Sequence, residues 1–300
     1  MVTPPYLQAG DTIGIVSTAR KVNKTELQPA LDLLARWGLK VKLGESIGAE
    51  KDQFAGEDAL RARDFQQMLD DEQIKAIWCA RGGYGTVRII DLLDFQKFAA
   101  NPKWIIGYSD ITVLHAHLNG RGVETLHAQM PLDIDKKTVE TATSLKELLF
   151  GKPYTIRYTD ISGISRNGSA EGVLVGGNLS VLYSLCGSAS QLNTAGKILF
   201  LEDLDEYLYH VDRMLQNLKR NGYFNSLNGL IIGGLTDMND NTIPYGKTAE
   251  EIVEEIVSKY NFPVCYYFPA GHVNDNRALI MGRNVQLTVT GPDVALQFTS

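Results

Sequence analysis

The first half of the chain alternates short apolar runs with segments of helical period, a rhythm that few folds accommodate. Residues 13–17, 41–43, 74–79 and 104–106 read as strands, and residues 28–37, 60–69, 87–95 and 112–118 carry the spacing of helices. Strand and helix in succession imply crossover connections, and parallel strands covered by helices on both faces read as near-continuous apolar runs. Gly38 closes the first helix just before the second strand, while Gly82, Gly83 and Gly85 break the chain between the third strand and the helix expected after it. The first half is therefore expected to be α/β, a mostly parallel sheet flanked by helices, with its cleft at the C-terminal strand ends.

The pattern weakens over residues 149–168, where Gly151, Pro153, Gly163, Arg166, Asn167 and Gly168 stand among scattered polar residues without a helical period. This segment is expected to connect an N-terminal domain of residues 1–148 to a smaller C-terminal α/β domain of residues 169–300. The later half has strand patterns at 198–202, 230–233 and 264–268 and helical patterns at 211–221 and 249–260. A hairpin around Gly291-Pro292 closes it. With 300 residues and 44% hydrophobic content, the chain can bury cores for two such domains, with the cleft between them.

The formal charge of −6 and the lack of a Lys/Arg stripe exclude binding to nucleic acid by phosphate neutralisation. The opening Met-Val-Thr-Pro-Pro-Tyr has no positive region followed by an apolar core, and no apolar run approaches the roughly 20 residues of a spanning helix. A cytoplasmic protein with no membrane partner is expected. Cys79, Cys186 and Cys265 are widely spaced in apolar surroundings and read as reduced, buried thiols. They form no CxxC pair to hold a metal, and neither metal nor cofactor is expected.

Several residues could carry chemistry. Gly107-Tyr108-Ser109-Asp110 follows a short buried strand and opens a helix, which places Ser109 on a strand-to-helix elbow. Such a turn exposes a nucleophile and aims backbone N–H groups at a developing oxyanion, although Ile111 stands where the hydrolase elbow has glycine. A helix-capping serine would look the same in sequence. Arg81-Gly82-Gly83-Tyr84-Gly85 forms a second backbone-rich loop at the same sheet edge and could supply oxyanion donors. It is a poor dinucleotide fingerprint, because Arg88 occupies the third glycine position.

Of five histidines, His115 and His117 lie beyond the first turn of the helix after Ser109, and His210 opens a helix near Arg213. His127 reads as a loop residue able to line the cleft, and His272 follows Pro269-Ala270-Gly271 at a strand exit, free to reach inward. Lys197-Ile198-Leu199-Phe200-Leu201-Glu202-Asp203 puts carboxylates at the end of a buried strand. By strand alternation Glu202 shares a face with Ile198 and Phe200, and Asp203 points the other way. Asp205 and Glu206 fall in the turn beyond, where capping or solvation is the expected task.

These stretches, with Ala9-Gly10-Asp11-Thr12-Ile13-Gly14, Gly176-Gly177-Asn178-Leu179-Ser180, Asp212-Arg213-Met214-Leu215 and Gly271-His272, make the sequence resemble the LD-carboxypeptidases. That family of serine peptidases includes the microcin C immunity peptidases. The resemblance implies Ser109 as nucleophile, His272 as general base and Glu202 as its orienting acid, with Asp110 and Gly82 or Gly83 giving backbone N–H groups to the oxyanion. It also implies a homodimer and a substrate that is a murein tetrapeptide ending in D-alanine, met during cell-wall recycling. Arg81, Tyr84 and Asn178 are the expected substrate-binding residues. Ala128-Gln129-Met130 departs from the family's Gly-Pro-Met after His127, and Ser17-Thr18-Ala19 lacks its usual proline, so the cleft wall is where this chain should differ. An immunity-type peptidase would need an aromatic platform for a nucleobase, yet Trp37, Trp78 and Trp104 all lie in apolar helix or strand patterns. A two-domain binding protein without catalysis is the other alternative.

Overall fold

The computed structural model describes residues 1–299. The first half contributes strands β1 (Thr12–Val16), β2 (Lys40–Leu43), β3 (Ile74–Cys79), β4 (Trp104–Gly107) and β5 (Thr125–His127). Between and after them come helices α1 (Gln28–Arg36), α2 (Asp58–Asp70), α3 (Gln96–Ala100), α4 (Thr112–Gly120) and α5 (Val139–Leu149). The later half adds β6 (Thr155–Thr159), β7 (Gly168–Asn178), β8 (Ile198–Leu204), β9 (Gly229–Thr236), β10 (Val264–Cys265), β11 (Leu279–Met281), β12 (Asn284–Thr290) and β13 (Asp293–Phe298). Its helices are α6 (Leu179–Leu185), α7 (Leu208–Arg220) and α8 (Ala249–Val257).

Two sheets result. One runs β11-β5-β4-β3-β1-β2, parallel throughout except for β11, and the other runs β10-β9-β8-β7-β12-β13-β6. Every residue of β4 is buried, as is all of β3 except Lys75, which suits strands covered by helices on both faces. The edge strand β2 exposes Lys40 and Lys42, charges that discourage pairing with another chain. In β12, Val285, Leu287 and Val289 are buried and alternate with polar residues, the signature of a sheet packed on one face. Helix α8 starts with a capping box, Thr248 and Glu251 each satisfying the other's backbone N–H.

The segment read as a connection contains β6, which pairs antiparallel with β13 at the edge of the second sheet. The second sheet is the wider of the two, with seven strands against six. Strand β11, which the sequence pattern did not reveal, crosses to the first sheet and pairs with β5, so the C-terminal half completes the N-terminal sheet. One hydrophobic core also crosses between the halves: Ile111, Val113 and Leu114 pack in the same cluster as Val175, Leu179, Leu182 and Leu199.

Three local expectations are corrected. Residues 87–95 form no α-helix but two 3-10 turns, Thr86–Arg88 and Ile90–Leu92, because Asp110 Oδ2 holds Thr86 N (2.8 Å) and fixes the loop before a helical ladder can start. The strand expected over 264–268 stops at Cys265: Tyr266 N turns to Ser165 Oγ (3.1 Å), and Tyr267 takes a left-handed φ of 53°. His127 lies in strand β5, fully buried, and not in a loop.

Candidate active site

Ser109 stands two residues after the end of β4, at the start of a 3-10 turn, with φ of 63°. A non-glycine residue in this left-handed region is uncommon, and the strain is characteristic of a nucleophile held at a sharp turn. The elbow is anchored behind by Asp110, whose buried carboxylate accepts from Thr86 N, and by His115, whose Nε2 meets the Gly107 carbonyl at 2.8 Å. In front stands the Gly82-Gly83 loop. A Cβ on Gly82 would lie 3.1 Å from Ser109 Cβ and 3.2 Å from its Oγ, so a larger residue would crowd the serine and push it back by a few tenths of an ångström. The N–H groups of Gly82 and Gly83 donate to no protein acceptor among the described residues, as oxyanion donors must not.

That loop is braced from within. Arg61, fully buried, donates Nη1 to the Thr18 and Gly85 carbonyls and pairs with Asp58, which also holds Arg88. The bracing role of Arg61 carried no sequence signal, since helical periodicity places Arg61 on α2 without saying what its guanidinium meets.

Glu202 is fully buried near the end of β8. Its Oε2 accepts both the Nδ1–H of His272, at 2.6 Å, and the His272 backbone N–H, at 3.1 Å. Burial pushes the Glu202 carboxyl up, but the His272 charge and hydrogen bonds more than offset this and hold it below the usual carboxylate range. Burial likewise pushes the His272 imidazole down, and the Glu202 charge and hydrogen bond outweigh it and hold the ring above its ordinary value. With Nδ1 engaged, Nε2 is the nitrogen left to face the cleft. The ring of Tyr108, the residue before Ser109, lies 4.8 Å from the His272 ring, which brings the Ser109 turn near the Glu202–His272 pair.

Two features let the His272 loop come so close. The register of β8 against β9 shifts between Leu201 and Asp203, leaving Glu202 opposite Gly233-Gly234, and Gly234 N donates to Ala270 O at 3.1 Å. A Cβ on Gly271, at φ 101°, would fall 2.6 Å from Glu202 Oε2. The loop is tied to the first domain by buried Asn276, whose Oδ1 accepts from Gly271 N (2.8 Å) and whose Nδ2 donates to Gln129 Oε1 (3.3 Å). Gln129 is one of the residues that depart from the family pattern, and its role here was not visible in sequence.

The remaining expected residues divide. Asp203 points away from His272 and accepts from Asn178 Nδ2 and Ser180 N, each at 2.8 Å. Burial and the neighbouring Glu202 charge push its carboxyl up to about 7, against those hydrogen bonds. Asn178, expected to touch substrate, is buried at 3% exposure with its amide committed: Nδ2 to Asp203, Oδ1 to Val181 N (3.2 Å) and Ser180 Oγ (2.8 Å). Its backbone N–H reaches Thr112 Oγ1 at 3.0 Å, so it joins the helix behind Ser109 to the strand of Glu202. Arg81 is half-buried and gives Nη1 to the Lys21 carbonyl at 3.1 Å, while Tyr84 is exposed beside Phe54, ring centres 6.1 Å apart. Glu206 pairs with His210 at 2.6 Å, one helical turn away from the acid's role. Cys79 and Cys265 are buried free thiols, and Cys186 is half-buried. Among the described residues no group of His, Cys, Asp or Glu side chains is arranged to hold a metal, and no helix is long and apolar enough to cross a membrane.

Comparison with known proteins gives the same grouping. Residues 13–128 match the LD-carboxypeptidase N-terminal domain and residues 171–287 match the LD-carboxypeptidase C-terminal domain. A probable murein peptide carboxypeptidase of Bacillus subtilis strain 168 is 35% identical over 290 residues, covering 93% of this chain and 89% of its own. The crystal structure of muramoyltetrapeptide carboxypeptidase from Oxalobacter formigenes superposes with a TM-score of 0.87 at 26% identity, over 96% of this chain and 99% of that one. The microcin C7 self-immunity protein MccF of Escherichia coli is 25% identical over 330 residues, 97% of this chain and 94% of its own. With both halves matched in chain order and a relative 35% identical over nearly the whole chain, the chain belongs to the LD-carboxypeptidase family of serine peptidases and is a hydrolase.

Proposed function

We propose that this protein is a serine carboxypeptidase that removes the terminal D-alanine from murein tetrapeptides in the cytoplasm, as a step of cell-wall recycling, and that it works as a homodimer. The observation that carries the reading is the 2.6 Å Glu202–His272 bond set beside a serine held at φ 63° against unpaired backbone N–H groups. Names of relatives supply the substrate class: the proteins from Bacillus subtilis and Oxalobacter formigenes are described as acting on murein peptides.

In this reading His272 Nε2 takes the Ser109 proton as Oγ attacks the carbonyl joining the L-centre of a diamino acid to D-alanine. Glu202 holds the ring by Nδ1 and stabilises the imidazolium, and the N–H groups of Gly82 or Gly83 and Asp110 receive the oxyanion. The imidazolium then protonates the leaving amine, D-alanine departs, and water activated by His272 hydrolyses the acyl-enzyme.

An exopeptidase must also pair the substrate's terminal carboxylate with a cation. Arg81 keeps part of its guanidinium free, and Arg20 lies across the same loop: a Cβ on Gly83 would meet Arg20 Cδ at 2.5 Å and Nε at 2.8 Å. Arg20 is exposed there, so both guanidiniums serve this reading as carboxylate partners, with Tyr84 on the rim beside them. The deciding experiment incubates the protein with a tetrapeptide ending in D-alanine and with its L-alanine counterpart, and looks by mass for loss of one residue. Cleavage of an aminoacyl sulfamoyl nucleotide and not of either peptide would move the substrate to the immunity type.

A further inference from the structure

His127 is engaged by nothing in the mechanism above. It is fully buried at the end of β5, and both of its ring nitrogens lack a hydrogen-bond partner among the described residues. Glu202 Oε1 is buried and unpartnered in the same way, although Oε2 of that carboxylate holds two bonds. Unpaired buried polar atoms are costly, most of all on a charged group, so two such groups in one place ask for a common explanation.

They are in one place. The His127 ring lies 5.0 Å from Phe200, which shares its strand face with Glu202. On the other side the Tyr108 ring is 5.9 Å from His127 and 4.8 Å from His272, and His272 is bonded to Glu202. His127, Tyr108, His272, Glu202 and Phe200 thus form a closed circuit of neighbours. Beside the His127 ring lies His115, 6.0 Å away, with both of its nitrogens committed, to Thr125 Oγ1 and the Gly107 carbonyl, while Asp203 and Lys137 act on the His272 end of the circuit and Asp133 on Tyr108. Burial pushes the His127 imidazole down to about 4, with Glu202 pulling it up and His272 pushing it further down, so the ring is neutral at physiological pH and carries one N–H.

We infer that His127 is a positioning residue for the acid of the proposed triad: it gives its single ring N–H to Glu202 Oε1 through one internal water, while Oε2 holds His272. This rests on the catalytic reading of Ser109, Glu202 and His272. Its physical effect is to fix the carboxylate at both oxygens, so that the plane presented to His272 cannot turn. Removing the N–H concentrates the anion's charge toward His272, which strengthens that bond and raises the pH at which His272 becomes a free base.

The test compares His127→Phe, which keeps the ring and loses both nitrogens, with His127→Gln, which keeps an N–H donor. His127→Phe is expected to lower kcat by about tenfold to a hundredfold, the worth of one hydrogen bond to a charged group, with KM little changed. The acid limb of its kcat/KM profile should move to higher pH, and His127→Gln should recover most of both. An unchanged kcat and pH profile in a folded His127→Phe protein would overturn the assignment. A second measurement needs no turnover: ¹⁵N-histidine NMR on the Ser109→Ala protein should show His127 neutral throughout, its protonated nitrogen shifting when Glu202→Gln is added. A His127 resonance that titrates near the ordinary histidine value, or ignores Glu202→Gln, would overturn it even if folding defeats His127→Phe. Failure of the catalytic reading would show instead as activity surviving Ser109→Ala, leaving the NMR result to stand by itself.

Discussion

One oxygen of Glu202 holds His272 twice, by the ring Nδ1 at 2.6 Å and by the backbone N–H at 3.1 Å. The acid therefore positions the loop as well as the imidazole. Glu202→Gln would keep the volume and lose the charge, and the handicap expected from the acid-to-amide change in a chymotrypsin-type triad is about 10⁴ in kcat. Glu206→Gln, which disturbs only a half-exposed pair with His210, should lose less than about tenfold. Measuring kcat and melting temperature for both variants separates them; a crippled Glu206→Gln beside an active Glu202→Gln would reassign the acid.

Ser109→Ala should remove about 10⁶ in kcat, the loss seen when a serine nucleophile is deleted, and should abolish labelling by a fluorophosphonate. The fold should survive, since neighbouring contacts set the elbow and the side chain removed is small. Turnover above a few per cent of wild type would exclude Ser109 as the attacking group.

The imidazole of His272 must be unprotonated to act as a base. Because Glu202 holds its pKa above the ordinary 6.5, protonated enzyme persists to higher pH, and kcat/KM should rise with pH through a midpoint above 6.5. Replacing Glu202 by Gln leaves burial opposed only by the more weakly acting Asp203 charge, so the His272 titration followed by NMR should fall. A midpoint that stays in place would mean that Glu202 does not set the basicity of the ring.

Arg20 and Arg81 offer separable contributions. Amidating the terminal carboxylate of the substrate should cost about 1.5–3 kcal/mol in kcat/KM, the range of a hydrogen bond to a charged group. Whichever of Arg20→Gln and Arg81→Gln binds the carboxylate should show a matching loss on the acid and almost none on the amide. Equal rates on acid and amide in the wild type would remove both arginines from substrate recognition.

Asn178→Ala tests a structural bracket. It would strip partners from Asp203 and from the first turn of α6, and a loss of about 1–3 kcal/mol in denaturant unfolding is expected. A substrate-binding asparagine would instead raise KM and leave stability unchanged.

What could be read from sequence followed the range of each interaction. Periodicity is local, so β3 and α2 were evident, and alternation along β8 separated Glu202 from Asp203 before any contact was known. Strand β5 escaped because three residues are too few to show a period, and His127 therefore passed for a loop residue. Strand β11 is equally short and finds its partner far back in the chain. Asn178 is expected at the substrate, but it ends β7 with its amide bonded to Asp203, a burial no local pattern encodes. The approach of Gly82 to Ser109 and the bracing by Arg61 are likewise tertiary facts.

The crossing of β11 into the first sheet also orders events during synthesis. Until residues 279–281 have emerged, β5 stands as an open edge beside β4, the strand that leads to Ser109. His272 lies shortly before β11 in the same run of chain, pinned by Asn276 to Gln129 in the first half. One segment thus brings His272 and seals the sheet together, so a chain made only as far as Ser109 and β5 has the proposed nucleophile without the proposed base. The proposed hydrolytic competence therefore waits on the synthesis of residues 272–281.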